Sequence, residues 1–392
     1  MSSSFLRGYR FPPTKSLESI ITVKVSVVIG TRPEAIKMAP VIRSLRSVGV
    51  QVRIVLTGQH SDLVNDLMGA LEIWEDVNLC ALIDGQSLSQ LLSRLFAEID
   101  REFENSRPDC VLVQGDTSSA LAGALAAFNM KIPVGHVEAG LRSGIINDPF
   151  PEEMNRKLIS TVATMHFAPT AESRENLILE GVPDKSIWIT GNTVIDNLMW
   201  SKEQSLGKSA FSDSDLGSKV LLTMHRRENQ GRTMICIAEM LLRLSVDLGL
   251  NVVLPIHPSP RVRESLLPVL SQASNIRIVD PLDYFDFIAT LSDCDFVLTD
   301  SGGVQEEAPA FNKPVLVLRE TTERPEGIQA GCAELVGINP VEVEGAIRNL
   351  VTDADKYREM ASAKNPYGDG LASRVISEAL VGYFSHRMGS SH

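Results

Sequence analysis

The sequence predicts two doubly wound α/β domains, each built on a parallel sheet, that face one another across a cleft. Short β-branched runs alternate with longer amphipathic stretches along the whole chain, which is typical of parallel strands joined by crossover helices. A polar, Ser- and Gly-rich segment at 201–218 divides this alternation into two halves. The chain has 392 residues, 44% of them hydrophobic, which is enough for two separate cores.

The elements follow in chain order from these patterns. Strands of the first half are predicted at 23–29, 52–56, 110–114, 134–136, 166–168 and 187–190. Strands of the second half are predicted at 220–224, 252–256, 276–279, 296–299 and 315–318. Amphipathic spacing predicts helices that include 88–104, 236–248, 341–350 and a final helix at 371–383. The expected limits are an N-terminal extension at 1–22, domains at 23–190 and 191–370, and a C-terminal helix with its tail at 371–392.

Composition excludes several classes of partner. The formal net charge of −12 argues against nucleic acid and against an anionic membrane surface. No apolar run approaches the length of a membrane span, and no secretory signal is recognisable, so we expect a cytoplasmic protein. The five cysteines are widely spaced and form no Cys-x-x-Cys pair, which indicates a reducing compartment. No spacing resembles a metal site, so we expect no catalytic metal.

One turn in the second half indicates a phosphate site. An apolar strand pattern ends in the turn formed by Ser301, Gly302 and Gly303, and a helical pattern follows. Amide groups at such a helix start lack intrahelical acceptors, and glycines let an anion approach them. Glu306 and Glu307 come next and offer acceptors for sugar hydroxyls, so a nucleotide-sugar fits. The alternative for this motif alone is an ordinary helix start with solvated glutamates.

Charged side chains follow the strands of the first half. Arg32 and Lys37 lie near a helix start that matches neither the dinucleotide fingerprint nor the P-loop. Asp116, Glu138 and Glu152 come from three separate segments after strands. Each alone is explained as a cap or a surface charge. Three at one rim instead favour acid–base chemistry, because crowded carboxylates raise one another's pKa values.

Further candidates follow strands in the second half. His225 comes after its first strand, His257 after its second, and Arg324 after the strand at 315–318. Arg324 is placed to contact a diphosphate from beside the Ser-Gly-Gly turn. Five of the seven histidines are expected at or just beyond strand ends, at positions 60, 136, 166, 225 and 257.

These motifs together resemble the UDP-N-acetylglucosamine 2-epimerases, both non-hydrolysing and hydrolysing, which have the GT-B glycosyltransferase-like fold. The resemblance extends over about residues 23–381. It rests on nine ordered segments: GTRPEAIKMAP (30–40), QGDTSSALA (114–122), GHVEAGLRSG (135–144), PFPEEMNRKLIS (149–160), GNTVIDNL (191–198), HRREN (225–229), TDSGGVQEEAP (299–309), RETTERPEG (319–327) and NPYGDG (365–370).

The resemblance implies the reaction and the roles of the residues. It implies interconversion of UDP-N-acetylglucosamine and UDP-N-acetylmannosamine by elimination of UDP to 2-acetamidoglucal and re-addition, without NAD or metal. It also implies a homodimer, and a final helix that packs back on the first domain. The catalytic residues that it implies are Asp116, Glu138, Glu152 and His225. The substrate-binding residues expected are Arg32, Lys37, Arg156, His257, Ser301, Gly302, Gly303, Glu307 and Arg324.

Three alternatives and one departure stay open at this point. The alternatives are a hydrolysing epimerase that releases N-acetylmannosamine, a GT-B glycosyltransferase, and a nucleotide-sugar sensor without activity. Which carboxylate acts as base is not readable from the sequence. The departure is Gln59-His60-Ser61-Asp62 and Gly85-Gln86, where relatives carry charged ligands for a second UDP-N-acetylglucosamine. We therefore expect weak or absent activation by that compound.

The division of charges between the halves also predicts movement. Arg32 and Lys37 belong to one half, whereas the Ser301–Gly303 turn and Arg324 belong to the other. Neither half alone holds both ends of the substrate, so UDP is expected to draw the halves together. The segments 201–218 and 365–370 are expected to flank the hinge.

Overall fold

The computed structural model describes residues 23–58, 67–83, 85–204, 206–322 and 324–389. The extension expected at 1–22 and the segment 59–62 of the departing region lie outside these residues. Within them, thirteen strands form two sheets in which every strand pair is parallel. The predicted class of two doubly wound α/β units is therefore confirmed.

The first sheet has seven strands in the order β3-β2-β1-β4-β5-β6-β7. Their bounds are β1 (Lys24–Ile29), β2 (Gln51–Leu56), β3 (Val77–Asn78), β4 (Cys110–Gln114), β5 (Val134–Val137), β6 (Met165–Ala168) and β7 (Ile187–Ile189). The second sheet has six strands in the order β10-β9-β8-β11-β12-β13. Their bounds are β8 (Lys219–Thr223), β9 (Asn251–Pro255), β10 (Ile276–Val279), β11 (Phe296–Thr299), β12 (Val315–Val317) and β13 (Ala333–Leu335).

Helices cover both faces of the sheets. Those before the second sheet are α1 (Arg32–Ser47), α2 (Leu88–Asn105), α3 (Ser118–Asn129), α4 (Glu152–Val162), α5 (Ala171–Leu179) and α6 (Thr193–Glu203). Those that follow are α7 (Arg232–Asp247), α8 (Pro260–Leu270), α9 (Tyr284–Asp293), α10 (Gly302–Glu307), α11 (Pro325–Gln329), α12 (Pro340–Thr352), α13 (Ala354–Ser362) and α14 (Ala372–Gly389).

The sequence prediction missed two strands and misplaced several helix ends: the helix predicted at 236–248 begins at Arg232, and the final helix predicted at 371–383 continues to Gly389. Strands β3 and β13 lie at sheet edges and have two and three residues, which is too short for a hydrophobic pattern to stand out. Helix α6 continues to Glu203, so the first residues of the segment 201–218 are helical rather than linker. The other predicted strands agree with the structure to within about one residue at each end, which is the ordinary uncertainty of such limits.

Local sequence explains how the helices at the site begin. The hydroxyl of Thr117 accepts the amide N–H of Ala120 at 3.1 Å and so caps α3. Helix α2 begins with a reciprocal capping box between Ser87 and Gln90. Helix α1 has Pro33 in its first turn, where the missing N–H costs nothing.

The last helix, α14, packs on the first sheet rather than on the second. Ile376 and Leu380 are buried in the core that contains β1 and α1. Ser377 on α14 bonds Ser44 on α1, with 2.8 Å between their hydroxyl oxygens. The chain therefore crosses between the two sheets twice, once after β7 and once before α14.

The two sheets place their loops so that the candidate residues meet. Strands β1 and β4 are neighbours in the first sheet, and β8 and β11 are neighbours in the second. At each pair the chain reverses its direction of winding, and open α/β sheets bind ligands beyond the carboxyl ends of such strands. The loops at 30–31, 115–117, 224–226 and 300–301 lie at these two points.

Two further findings concern the described residues only. None of their helices has the length and apolar character needed to cross a bilayer. No three His, Cys, Asp or Glu side chains among residues 23–58, 67–83, 85–204, 206–322 and 324–389 gather closely enough to hold a metal ion.

Candidate functional site

A partly buried ion pair joins the loop after β5 to the first helix. The ammonium of Lys37 donates to both carboxylate oxygens of Glu138, at 2.8 and 2.6 Å. The side-chain amide of Gln114, at the end of β4, donates to the same carboxylate. Burial works against the charge on Lys37, but the carboxylates of Glu138 and Glu306 outweigh it and raise the pKa of the ammonium. The site thus holds a permanent cation beside a carboxylate.

Glu138 has an unusual backbone conformation. Its φ is +63°, in the left-handed region that side chains other than glycine seldom occupy. The conformation is fixed on both sides, because Gly115 N–H bonds Val137 O and Ala139 N–H bonds Phe167 O, each at 3.0 Å. Strain held in this way occurs preferentially at functional sites.

A second ion pair lies on the neighbouring loop. Arg156 on α4 contacts the carboxylate of Asp116 at 2.6 Å, and the side-chain amide of Asn155 donates to the backbone carbonyl of Asp116 at 2.7 Å. Burial and the charge of Glu138 raise the pKa of Asp116 against the opposing effect of Arg156. Asp116 and Glu138 are therefore close enough to influence one another, whereas the sequence predicted such crowding for three carboxylates, Glu152 included.

The first turn of α4 carries two adjacent glutamates with different surroundings. Glu153 is fully buried and accepts the N–H of Ser143 at 3.0 Å and a guanidinium N–H of Arg156 at 2.9 Å. Glu152 is half-buried, and within the described residues it has no hydrogen bond or ion pair. Glu153 holds Arg156, which in turn holds Asp116, whereas Glu152 is available to a ligand.

The first helix also brings in a carboxylate that the sequence reasoning did not single out. Glu34 is buried and accepts hydrogen bonds from Gly30 N–H at 3.0 Å, from the Thr31 hydroxyl at 2.8 Å and from the Thr117 hydroxyl at 2.7 Å. Burial raises its pKa to about 7 against these hydrogen bonds. The spacing Thr-x-x-Glu at Thr31 was the available signal, because it is typical of a capping box.

Beyond β8, a buried aspartate orients the candidate histidine. Asp300 accepts the backbone N–H groups of His225 at 3.0 Å and of Arg226 at 2.9 Å, and Nδ1 of His225 lies 3.1 Å from its Oδ1. Burial alone would raise the pKa of Asp300, but the bonds to His225 and Arg226 keep it below its usual value. A carboxylate beside Nδ1 fixes the proton there and directs Nε2 to a ligand.

His257 completes this part of the site. Its ring stacks on that of His225, with 5.6 Å between the centroids and 18° between the planes. Burial and the neighbouring His225 lower the pKa of His257, and its Nδ1 accepts the N–H of Ser259 at 3.1 Å. The two histidines predicted after β8 and β9 are thus brought together.

The Ser-Gly-Gly turn has open space beside it. A Cβ atom built on Gly303 would meet nothing of the protein within 4 Å except a carboxylate oxygen of Glu307, at 3.9 Å. Packing inside the protein therefore does not require glycine at this position, whereas close approach of a ligand would. The turn is anchored by Ser301 N–H, which donates to the Thr299 hydroxyl at 2.9 Å.

The two glutamates after this turn differ, contrary to the expectation that both face sugar hydroxyls. Glu306 contacts Arg324 through one oxygen and accepts the side-chain amide of Asn192 at 2.7 Å through the other. Glu307 is half-buried, and desolvation of its carboxylate together with the charge of Glu306 raises its pKa to about 8. Of these two glutamates, Glu307 is the one whose carboxylate has no hydrogen-bond or ion-pair partner among the described residues.

Charged side chains on the two sheets interact electrostatically. Lys37, on the first sheet's side, is influenced by Glu306 and Arg324 on the second, and Arg32 acts on the phenol of Tyr284 on α9. The candidate cations Arg32, Lys37 and Arg324 therefore lie on facing sides of one region.

Two histidines depart from the pattern expected from the sequence. His136 and His166 lie inside β5 and β6 rather than beyond their ends, and they are register partners. Burial lowers the pKa of His136 to about 3 and that of His166 to about 4. Both are neutral core side chains and belong to the scaffold.

Comparison with known proteins agrees with this geometry. The sequence profile of the UDP-N-acetylglucosamine 2-epimerases matches residues 43–381. A UDP-N-acetylglucosamine 2-epimerase from Bacillus subtilis is 41% identical over 367 residues, which are 93% of this chain and 97% of that protein.

Two solved structures extend the comparison to the fold. The UDP-GlcNAc 2-epimerase of Neisseria meningitidis, solved with UDP-GlcNAc, is 41% identical with a TM-score of 0.81, over 92% of this chain and 100% of that one. The Methanocaldococcus jannaschii UDP-GlcNAc 2-epimerase, solved with UDP-GlcNAc and UDP, is 32% identical with a TM-score of 0.73, over 92% and 99% of the two chains. The fold is therefore GT-B-like, as expected.

Proposed function

Because the chain belongs to the UDP-N-acetylglucosamine 2-epimerase family, we propose that the region between its two sheets interconverts UDP-N-acetylglucosamine and UDP-N-acetylmannosamine. The protein is an isomerase of the non-hydrolysing kind. The observation that carries the proposal is a group of two carboxylate–cation pairs, Glu138 with Lys37 and Asp116 with Arg156. Lys37 lies within electrostatic reach of Glu306 and Arg324, which follow the Ser-Gly-Gly turn in the chain. Acid–base groups and a phosphate cradle are the two requirements of this reaction.

The chemistry proceeds by elimination and re-addition. The proton on carbon 2 is not adjacent to a carbonyl, so its removal needs a leaving group on carbon 1. One carboxylate takes that proton while the bond from carbon 1 to the UDP oxygen breaks, and UDP leaves with the electron pair. The product is 2-acetamidoglucal, with a double bond between carbons 1 and 2. A second acid returns a proton to the opposite face, and UDP adds back to carbon 1.

The chain's residues divide this work between the two sheets. Asp116, Glu138 and Glu152 supply the acids and bases at the sugar. Lys37, together with Arg32, Arg324 and His225, stabilises the negative charge that develops on departing UDP. Support for this assignment is the raised pKa of Lys37, which favours its charged form beside Glu138.

The remaining contacts hold the nucleotide. Gly302 and Gly303 offer amide groups to the diphosphate, and Glu307 lies beside Gly303, where it accepts hydrogen bonds from ribose. His257 stacks on His225 and forms part of the substrate site on the side of the second sheet. Arg156 reaches the substrate from the other sheet while it holds Asp116.

Turnover in deuterated water tests the function. Wild-type protein incubated there with UDP-N-acetylglucosamine should give UDP-N-acetylmannosamine, with deuterium at carbon 2 in both UDP-sugars, because each passage exchanges that proton with solvent. Mass spectrometry and proton NMR of the recovered sugars provide the measurement. Free N-acetylmannosamine as the main product would identify a hydrolysing enzyme instead. Unchanged, undeuterated substrate would contradict epimerisation.

The proposed enzyme is a homodimer. Met154 and Leu158 lie one turn apart on α4, and Phe150 precedes the helix by two residues. All three side chains are exposed and offer apolar surface suited to an interface. We also propose that the two halves of each subunit close around UDP. The two chain crossings lie side by side, with Asn192 N–H bonded to Tyr367 O at 2.7 Å. Adjacent crossings let the halves rotate about one line.

Small-angle scattering combined with light scattering checks both expectations. The molar mass should be twice the chain's 42.8 kDa, and saturating UDP should reduce the radius of gyration. A monomeric mass would contradict the dimer. Identical curves with and without UDP, in an active preparation, would mean that the cleft is preformed.

We also propose the cellular compartment in which the protein acts. A cytoplasmic location fits the five free cysteines that the described residues contain. Fractionation of cells that produce the protein should recover it with cytoplasmic markers, and its recovery in a secreted or membrane fraction would contradict this.

A further inference from the structure

Glu34 is a buried carboxylate to which the proposed reaction gives no role. Its side chain is 1% exposed. Two of its three hydrogen bonds are local, to Gly30 and Thr31, and a capping arrangement at the start of α1 accounts for them. The third joins it to the hydroxyl of Thr117, 83 residues away in the chain, and capping does not account for that one.

This third bond connects the two loops that carry the charged pairs. Thr117 directly follows Asp116, and Lys37 lies one turn after Glu34 on α1. The Thr117 hydroxyl accepts Ala120 N–H and therefore has its one proton available for Glu34. A displacement of either loop would break this bond, so the bond fixes Asp116 relative to Lys37.

The carboxyl of Glu34 is buried with no cation paired to it among the described residues, and this also needs a reason. The groups that act on Glu34 are hydrogen-bond donors, namely Gly30, Thr31 and Thr117, and burial raises its pKa to about 7 against them. Burying a carboxyl costs free energy of folding. We therefore expect Glu34 to have a role besides stabilising the fold. Its position between two loops with candidate catalytic side chains indicates what that is.

We propose that Glu34, through Thr117, is a positioning residue that holds Asp116 in register with Lys37 and its partner Glu138. The inference rests on the proposed roles of Asp116 and Lys37. Small errors of position at reacting groups lower the rate of the chemical step much more than they weaken binding. The expected signature is therefore a fall in kcat at nearly constant affinity for UDP.

Substitution of Thr117 by valine and by serine tests the bond. Thr117→Val removes the hydroxyl at constant shape, and we expect kcat to fall by about tenfold to a hundredfold. Thr117→Ser restores the hydroxyl and should recover most of the wild-type rate. KM and the UDP dissociation constant should change in both by no more than about twofold, as for a loss confined to the transition state.

The matched control separates positioning from loss of a helix cap. Thr170 caps α5 in the same way, accepting Ser173 N–H at 3.1 Å, and lies beyond β6, two strands from β4. Thr170→Val should lose similar thermal stability yet keep kcat. If Thr117→Val does not fold, Glu34→Gln, which keeps the volume but places an amide against Thr117, takes its place with the same expected fall.

The outcomes separate this inference from the proposed function. Wild-type turnover in the same assay establishes the function independently. Wild-type kcat in a folded Thr117→Val or Glu34→Gln protein, or an equal loss in Thr170→Val, would overturn the positioning role. A loss in Thr117→Val that serine does not restore would overturn it as well.

Discussion

Replacing Asp116, Glu138 or Glu152 by its amide should reduce turnover of UDP-N-acetylglucosamine by at least about a hundredfold, because each change removes an acid–base group from the chemical step. The amides match the carboxyls in shape, so folding and UDP binding should persist. Steady-state rates, thermal unfolding and calorimetric UDP binding measure the three quantities.

A surface carboxylate provides the control for these variants. Within the part of the chain that the structure describes, Glu98 on α2 pairs with Arg101 alone, three residues along the same helix, and such exposed pairs contribute little. Glu98→Gln should therefore behave as wild type. Near-wild-type turnover in all three amide variants would refute the assignment of acid–base roles to these residues.

Replacing Lys37 by methionine should reduce kcat by about a hundredfold to a thousandfold, since one strong donor to the developing charge is lost. The substitution removes the cation that contacts both oxygens of Glu138 and that lies within electrostatic reach of Arg324 and Glu306. UDP affinity should fall less than kcat, because the turn at Ser301–Gly303 and the Arg324 guanidinium remain. Rapid-quench turnover and equilibrium UDP binding separate the two effects.

The control for Lys37 is an exposed lysine far from the site. Lys185 lies in the short helical turn before β7, the edge strand three places from β4 in the first sheet. Lys185→Met should leave both measurements unchanged. A Lys37→Met protein with wild-type kcat and weakened UDP binding would mean that Lys37 binds the ground state and does not assist the departure of UDP.

The sequence predicted the fold well because its signals are local. Buried parallel strands such as β4, β11 and β12 are nearly continuous apolar runs, and the chain pattern alone gives their approximate bounds. Strands β3 and β13 escaped because edge strands of two or three residues contain no pattern, and their pairing depends on the finished sheet.

The candidate site was predictable only in part. The sequence showed charged and polar residues of suitable type directly after the strands. It did not show which side chain each of them contacts, because those contacts come from distant segments of the chain. Glu306 illustrates this: its position suggested a sugar contact, whereas Asn192 and Arg324 occupy its carboxylate. Asp300 and Gln114 likewise gain their roles only when the sheet brings them to His225 and Glu138.

The most direct test of the central claim, that UDP leaves carbon 1 during epimerisation, follows the bridging oxygen. UDP-N-acetylglucosamine with ¹⁸O between carbon 1 and the β-phosphorus is incubated with the protein, and phosphorus NMR locates the label. Departure and return of UDP predict that ¹⁸O moves into the non-bridging positions of the β-phosphate as UDP-N-acetylmannosamine forms. Formation of UDP-N-acetylmannosamine with all the label still in the bridge would contradict the account, because the bond to UDP would then never have broken.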